Sequence, residues 1–353
     1  VTGHGVRGHV ERQRGRRSRT LRAVGLTLAG ALVLGVAAAG WAYWQLNGNI
    51  RGVDVDTALG DNRPPRAVTT PSPSGTAAAV PLPTEAVNIL VLGSDSRSGA
   101  ENQALGGGDS SGARSDTAMV VHIDAGRTSA TVVSIPRDTL VTRPSCPLPS
   151  GGSTEVSYGA MFNSAYSLGG PVCAVKTVES LTDVRMDHFV EVDFTGFAKL
   201  VDALGGVTVT TTEDIEDEDS HLSLAAGTHH LDGERALALA RTRHGIGDGS
   251  DLGRIGLQQT LVKALLEQIS STDLLTSPTR LYRVADAVTG SLTTDTGLDS
   301  LAQLMELGQS LQGLSSANVT TVTLPVRPAP SDPNRVVPDE PEASDLWESL
   351  RQG

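Results

Sequence analysis

The sequence has little of three things that often carry protein chemistry. Aromatic residues make up 3% of its 353 positions, so the core must be built mainly from Val, Leu, Ala and Ile. Cysteine occurs only at Cys146 and Cys173, and two thiols so far apart do not make a zinc site. Positive charge is in deficit, with 28 Lys and Arg against 40 Asp and Glu and a net charge of −12. That balance argues against a nucleic-acid partner, because phosphate backbones need a concentrated basic surface. There is no GxxxxGK phosphate loop and no convincing Ser-His-Asp arrangement. The acidic run Glu213 to Asp219 lacks the EF-hand spacing and its glycine, and reads as a solvated loop. His229 and His230 precede Leu231-Asp232-Gly233, read as a turn, and cannot form a metal site alone. No internal repeat is found.

What positive charge there is collects at the start. Arg7, Arg12, Arg14, Arg16, Arg17, Arg19 and Arg22 precede Val24 to Tyr43, a run without one charged residue. About 20 apolar residues cross a hydrocarbon core of roughly 30 Å, and Trp41, Tyr43 and Trp44 suit the interface at its far end. The pattern predicts a basic cytoplasmic segment over 1–22 and one transmembrane helix over 23–45, N-terminus inside. A cleaved signal peptide is the competing reading. Either way the remainder lies outside the cytoplasm, where Cys146 and Cys173 would pair as a disulfide; two small buried hydrophobes are the alternative. Residues 46–84 are rich in Pro, Ser, Thr and Ala and read as an extracytoplasmic linker. A single domain is expected over 85–353.

That domain opens with Val87 to Gly93 (VNILVLG), a continuous apolar run of the kind found in a strand buried on both faces. Similar runs follow at Ala118 to Ile123 and Thr131 to Ile135, with a more alternating one at His188 to Phe194. Phe194, Phe197, Leu200, Val201 and Leu204 recur at helical spacing until Gly205-Gly206. Leu257, Leu261, Val262, Leu265, Leu266 and Ile269 form another stripe, and Asp232 is a candidate N-cap. Strands interleaved with helices predict an α/β or α+β fold, a central mixed β-sheet flanked by helices.

Asp and Arg concentrate at the ends of these elements, where such folds place their sites. The segments are Gly93 to Arg97, Ala113 to Thr117, Ser134 to Asp138, and the stretch holding Arg241, Arg243, Asp251, Arg254 and Gln258. Asp95 and Asp116 suit a hard cation such as Mg²⁺ or Mn²⁺, which takes a few carboxylates plus phosphate oxygens. Arg97, Arg114, Arg137, Arg241, Arg243 and Arg254 supply planar donors for phosphates. A network of structural Asp–Arg pairs would give the same composition.

The ordered segments NILVLGSDSR, RSDTAMVVHID, VSIPRDTLV, FNSAYSLGGP, HFVEVDFTGFAKLVDALGGV and LDGERALALARTRH with SDLGRIGLQQ resemble the LytR-CpsA-Psr family of cell-wall ligases. The resemblance implies the LytR-CpsA-Psr fold and a polyprenyl-pyrophosphate-linked glycan as donor, its tail in an apolar pocket. It also implies Asp95 and Asp116 near Mg²⁺, with Arg97, Arg137, Arg241, Arg243 and Arg254 around the pyrophosphate. Gln258 matches a polar position one turn beyond Arg254. Arg114 is a pocket candidate only, and Asp251 would orient an arginine. The Gly/Ser-rich insert 99–113 is longer than the resemblance requires and reads as a flexible loop, a lid or a phosphate nest.

The implied activity is a phosphotransferase that joins a glycopolymer to a peptidoglycan hydroxyl, the muramic acid 6-OH, through a phosphodiester. Asp95, Asp116 and Arg137 are the expected catalytic residues. A pyrophosphatase using water in the same pocket is the nearest alternative. A transcriptional attenuator would need a recognition helix that the basic segment does not provide. A non-catalytic glycan- or lipid-binding protein would have no use for both aspartates and the arginines.

Overall fold

A computed structural model describes residues 32–66, 85–94, 115–148, 150–243, 251–271 and 277–352. The chain divides into two compact units, 1–48 and 49–353. The described part of the first unit is helical, in the helix α1 over 32–49, with Leu32, Leu34, Trp41 and Trp44 exposed. Among the described residues no helix is long and apolar enough to cross a membrane. Part of the span expected over 23–45 lies outside them.

The second unit contains fifteen described strands. The first seven are β1 (Arg51–Val53), β2 (Val87–Ser94), β3 (Ser115–Ile123), β4 (Ala130–Ser134), β5 (Leu140–Arg143), β6 (Ser157–Met161) and β7 (His188–Asp193). Then come β8 (Val207–Thr211), β9 (Ile215–Asp217), β10 (Leu222–Leu224), β11 (Gly227–Leu231), β12 (Leu292–Asp295), β13 (Val319–Thr323), β14 (Val326–Ala329) and β15 (Asp332–Pro338). The helices are α2 (Val55–Leu59), α3 (Phe162–Thr182), α4 (Phe194–Leu204), α5 (Gly233–Arg241), α6 (Asp251–Ser271), α7 (Pro278–Ser291), α8 (Leu301–Ser310) and α9 (Glu342–Gln352).

A seven-stranded sheet in the order β1-β12-β7-β2-β3-β4-β13 organises the unit. It is mixed: β1/β12, β7/β2 and β4/β13 are parallel, and β12/β7, β2/β3 and β3/β4 antiparallel. The run at Val87 becomes the central strand, which is why it is apolar on both faces. Leu90 and Leu92 point into a core shared with Tyr166 and Val178 of α3, Leu59 of α2 and Trp347 of α9. Over the other face stand α4, α5 and α6. Asp193 caps α4 by accepting from Gly196 N, and Gly205 ends it in the left-handed region at φ 87°. Asp232 caps α5, accepting from Arg235 N. The disulfide Cys146–Cys173 is formed and ties the connection between β5 and β6 to α3.

Two expectations need correction. Residues 51–63, assigned to the linker 46–84, belong to the fold. β1 pairs with β12, α2 buries Val55 and Leu59, and Arg63 forms a buried ion pair with Glu179 (2.6 Å) while donating to Met186 O (2.7 Å). Elements of three and five residues carry too few apolar positions to show a period, so only long-range pairing reveals them. Residues 67–84 lie outside the described residues. His229 and His230, read as a turn, lie in β11 paired with β8.

Candidate functional site: an arginine-ringed cavity

The site is assembled where β3, the end of β4 and the start of α6 meet. The β2–β3 register places Gly93 opposite Thr117 and Ser94 opposite Ser115, leaving Asp116 as the extra residue of a β-bulge. A bulge re-aims a side chain, and both Asp116 and Thr117 line the cavity. Arg137, which follows β4, donates from Nη1 to Asp116 Oδ1 at 2.8 Å. Its Nε stands 3.5 Å from Asp251 Oδ1 and 3.6 Å from Asp138 Oδ2. Its backbone N donates to Asp251 Oδ2 at 3.2 Å. Asp251 opens α6 and also pairs with Arg254 one turn on. Arg254, 3% exposed, donates to Asp116 O at 2.9 Å. Arg243 Nη2 lies 3.6 Å from Asp116 Oδ1. Three guanidiniums therefore converge on one residue.

The electrostatics reflect that crowding. Burial pulls the Arg254 guanidinium below the usual arginine range; Arg137 and Arg243 push the same way, against Asp251 and Asp116. Burial also opposes the charge of Arg137, but the hydrogen bond to Asp116 and the charges of Asp116, Asp251 and Asp138 prevail and hold it above the usual range. An anion entering here would relieve the repulsion among the guanidiniums.

Behind this mouth is a cavity of about 600 Å³ between the sheet and α4, α5 and α6, with Val91, Met119, Phe197, Leu200, Leu261 and Leu265 among its walls. Arg241 lines it too, its guanidinium 5.0 Å from the Phe194 ring centroid. Gln258 donates to Thr117 Oγ1 (2.9 Å) and Ala240 O (3.0 Å), bracing α6 against β3 and the end of α5. Asp95, Arg97, Arg114 and the insert 99–113 lie outside the described residues.

Two groups escaped the reading of the sequence. Asp217, in the acidic run taken for a solvated loop, is buried and accepts from Arg243 N at 2.6 Å. Its Oδ1 accepts from the backbone N of Asp219 and of Ser220, so it fixes the chain that carries Arg243. The signal was the two-residue alternation of β9, which puts Ile215 and Asp217 inside and Glu216 outside. The other group lies across the sheet, where Tyr166 OH donates to Glu191 Oε1 (2.6 Å) and stands 3.1 Å from Ser94 Oγ. Burial raises the Glu191 carboxyl above its ordinary range.

Among the described residues no group of three His, Cys, Asp or Glu side chains is placed to hold a metal. Mg²⁺ requires less from protein, keeping waters and substrate phosphate oxygens around one or two carboxylates. Asp116 fits that role: both arginine contacts of its carboxylate fall on Oδ1, and its side chain is 23% exposed.

A model of the LytR_cpsA_psr family matches residues 42–352. Cell wall biosynthesis protein LcpA of Corynebacterium glutamicum is 34% identical over 68% of this chain and 50% of its own length. Polyisoprenyl-teichoic acid–peptidoglycan teichoic acid transferase TagV of Bacillus subtilis is 30% identical over 66% of this chain and 57% of its own length. The chain thus spans less than two thirds of these relatives. Among solved structures, the LytR-Csp2A-Psr enzyme from Actinomyces oris superposes with a TM-score of 0.58 at 25% identity, covering 76% of this chain and 90% of that one. With the family model extending over most of its length, the chain belongs to the LytR-CpsA-Psr family.

Proposed function

We propose that the chain transfers a glycopolymer from a polyprenyl-pyrophosphate carrier to peptidoglycan, leaving a phosphodiester link. The observation that carries this reading is an apolar cavity of about 600 Å³ lined at one side by Arg137, Arg243 and Arg254. Such a site matches a ligand with a long hydrocarbon tail and a doubly phosphorylated head. The relative TagV, named a polyisoprenyl-teichoic acid–peptidoglycan teichoic acid transferase, has the same chemistry in its name.

In this reading an acceptor sugar hydroxyl attacks the glycan-side phosphorus. A new phosphorus–oxygen bond forms, the bond to the bridging oxygen breaks, polyprenyl phosphate departs with the electron pair, and the hydroxyl proton passes to solvent. Phosphoryl transfer depends on positioning and charge neutralisation. Arg137 is already oriented by Asp116 and Asp251, so it needs little reorganisation as charge shifts to the leaving group. Arg254 and Arg243 would hold the pyrophosphate, and Asp217 would keep Arg243 in place. Mg²⁺ held by Asp116, with Asp95, would supply further neutralisation of phosphate charge.

The basic segment and the uncharged run to Tyr43 support a single-pass anchor, with the chain after about residue 45 outside the cytoplasm. The Cys146–Cys173 bond agrees with an oxidising compartment. The test is the full chain with a polyprenyl-pyrophosphate glycan, Mg²⁺ and peptidoglycan. Glycan appearing on the acceptor together with polyprenyl phosphate, both lost on chelation, supports the transferase. Lipid cleavage without transfer assigns the site to a pyrophosphatase, and binding without chemistry to a carrier protein.

A further inference from the structure

Transfer needs a second ligand site, because the acceptor must reach the mouth from solvent while the donor fills the cavity. The chain running out of the mouth offers one. Directly after Arg137 and Asp138 it forms the β5–β6 hairpin, and the return strand leads into α3, where Asn163 N donates to Arg137 O (3.1 Å) and Phe162 N to Thr139 O (2.9 Å). Near the start of that return strand, between the pairs Arg143–Ser157 and Val141–Ala160, Tyr158 is 82% exposed. Among the described residues of the second unit it is the most exposed large hydrophobic side chain. The chain has only four tyrosines.

The hairpin is held firmly. The disulfide anchors its connecting segment to α3, Lys176 Nζ donates to Ser145 O (2.7 Å), and Arg143 Nη2 donates to Glu155 O (2.9 Å). Cys146 and Thr154 bond across it, from Thr154 N to Cys146 O (2.8 Å) and from Cys146 N to Thr154 Oγ1 (3.0 Å). Exposure of Tyr158 is therefore a fixed feature of an ordered strand. Its neighbour Gly159, at φ 65°, leaves open space where a side chain would stand. Between Pro144 and Ser164 the one charged residue is Glu155. This surface has the opposite chemistry to the mouth: almost uncharged, hydroxyl-bearing and topped by an aromatic face.

We propose that the β5–β6 hairpin, with Tyr158 as its platform, seats sugar rings of the acceptor glycan strand some way out from Arg137. The separation is about five residues along the strand, or roughly 15 Å, a reach of a few sugar units. Sugar rings present C–H faces that lie against an aromatic face, and a tyrosine supplies that contact at low entropic cost. The inference rests on the transferase reading and names its acceptor subsite. Two measurements on the full chain test it. Sedimentation with purified peptidoglycan sacculi, with no donor present, should weaken about tenfold in Tyr158→Ala and recover in Tyr158→Phe. In the transfer assay, Tyr158→Ala should raise the acceptor KM by a similar factor and spare kcat. Equal sedimentation of Tyr158→Ala and wild type would overturn the platform. So would a fall in kcat at unchanged acceptor KM, which would assign the hairpin to holding Arg137. If the wild type transfers nothing while Tyr158 still governs sedimentation, the glycan contact stands and the transferase reading falls.

Discussion

The two faces of the central sheet come from alternate residues of the same strands, yet one is filled throughout while the other is packed at one end, around Ile89, Ile123 and Val132, and hollow at the other. Leu90 and Leu92 of β2 meet α3, α2 and α9 in a closed core. Val91 and Gly93, one residue away, face the cavity. The difference lies in what covers each face. On the cavity side the helices have a core of their own, in which Val201, Leu231, Ala236 and Leu239 pack together. Glycines draw them close: a Cβ at Gly233 would lie 2.1 Å from Ala198 O, and one at Gly196 would lie 2.1 Å from Ser291 Cβ. A roof that is stable in itself need not collapse onto the sheet, so an apolar cavity persists where burial energy alone would close it.

The contrast can be broken most directly at the mouth. Arg137→Ala should lower the transfer rate about 10²–10³-fold, the cost of removing one preorganised donor, with only a small change in melting temperature. A large melting shift with unchanged transfer would make the arginine ring structural. The same substitution placed on the two faces gives the next largest effect. Ala174→Phe, in the packed core, should cost about 2–3 kcal/mol by overpacking. Ala240→Phe, in the cavity wall, should cost under about 1 kcal/mol but abolish binding of a polyprenyl phosphate. Denaturant unfolding and lipid binding separate the two, and equal destabilisation would mean the cavity is not the ligand site.

Asp217→Asn is subtler, because it weakens the charged acceptor for Arg243 N while keeping the side chain's shape. About tenfold weaker donor binding is expected, with acceptor KM unchanged; an unaltered donor affinity would remove Asp217 from the site. The smallest effect belongs to the packed face. Because burial raises Glu191 above its ordinary 4.5, the native state binds its proton more tightly than the unfolded chain. That contribution is full below about pH 4.5 and fades as pH rises through the native value. Glu191→Gln should therefore gain stability relative to wild type as pH increases, measured by melting across pH. A constant difference would show that the carboxyl does not titrate in that window.

Much of this was legible in the residues. The runs at Val87, Ala118 and Thr131 are β2, β3 and β4, and the stripe from Phe194 ends at Gly205 because a left-handed turn follows. Charge grouped at strand ends marked Asp116, Arg137, Arg243 and Arg254, which the fold brings to one mouth. Local signals failed for short or irregular pieces. β1 and Arg63 read as linker, and Asp217 read as solvent-exposed because its neighbours are acidic. The β-bulge that turns Asp116 toward the cavity has no signature of its own, since it arises from the register between two strands.

The sequence by itself determined the long central strands, the caps, the family and the inventory of charged groups, because periodicity, capping and ordered segments are local properties of the chain. Tertiary structure alone decided which arginines share Asp116, that the cavity stays open, and that Tyr158 stands exposed on the hairpin that leads out from the mouth. Those depend on register, on helix–helix closure at glycines and on contacts between residues more than a hundred positions apart, as between Asp116 and Arg254. No local pattern encodes such distances; only the packing of the whole sheet and its helices fixes them.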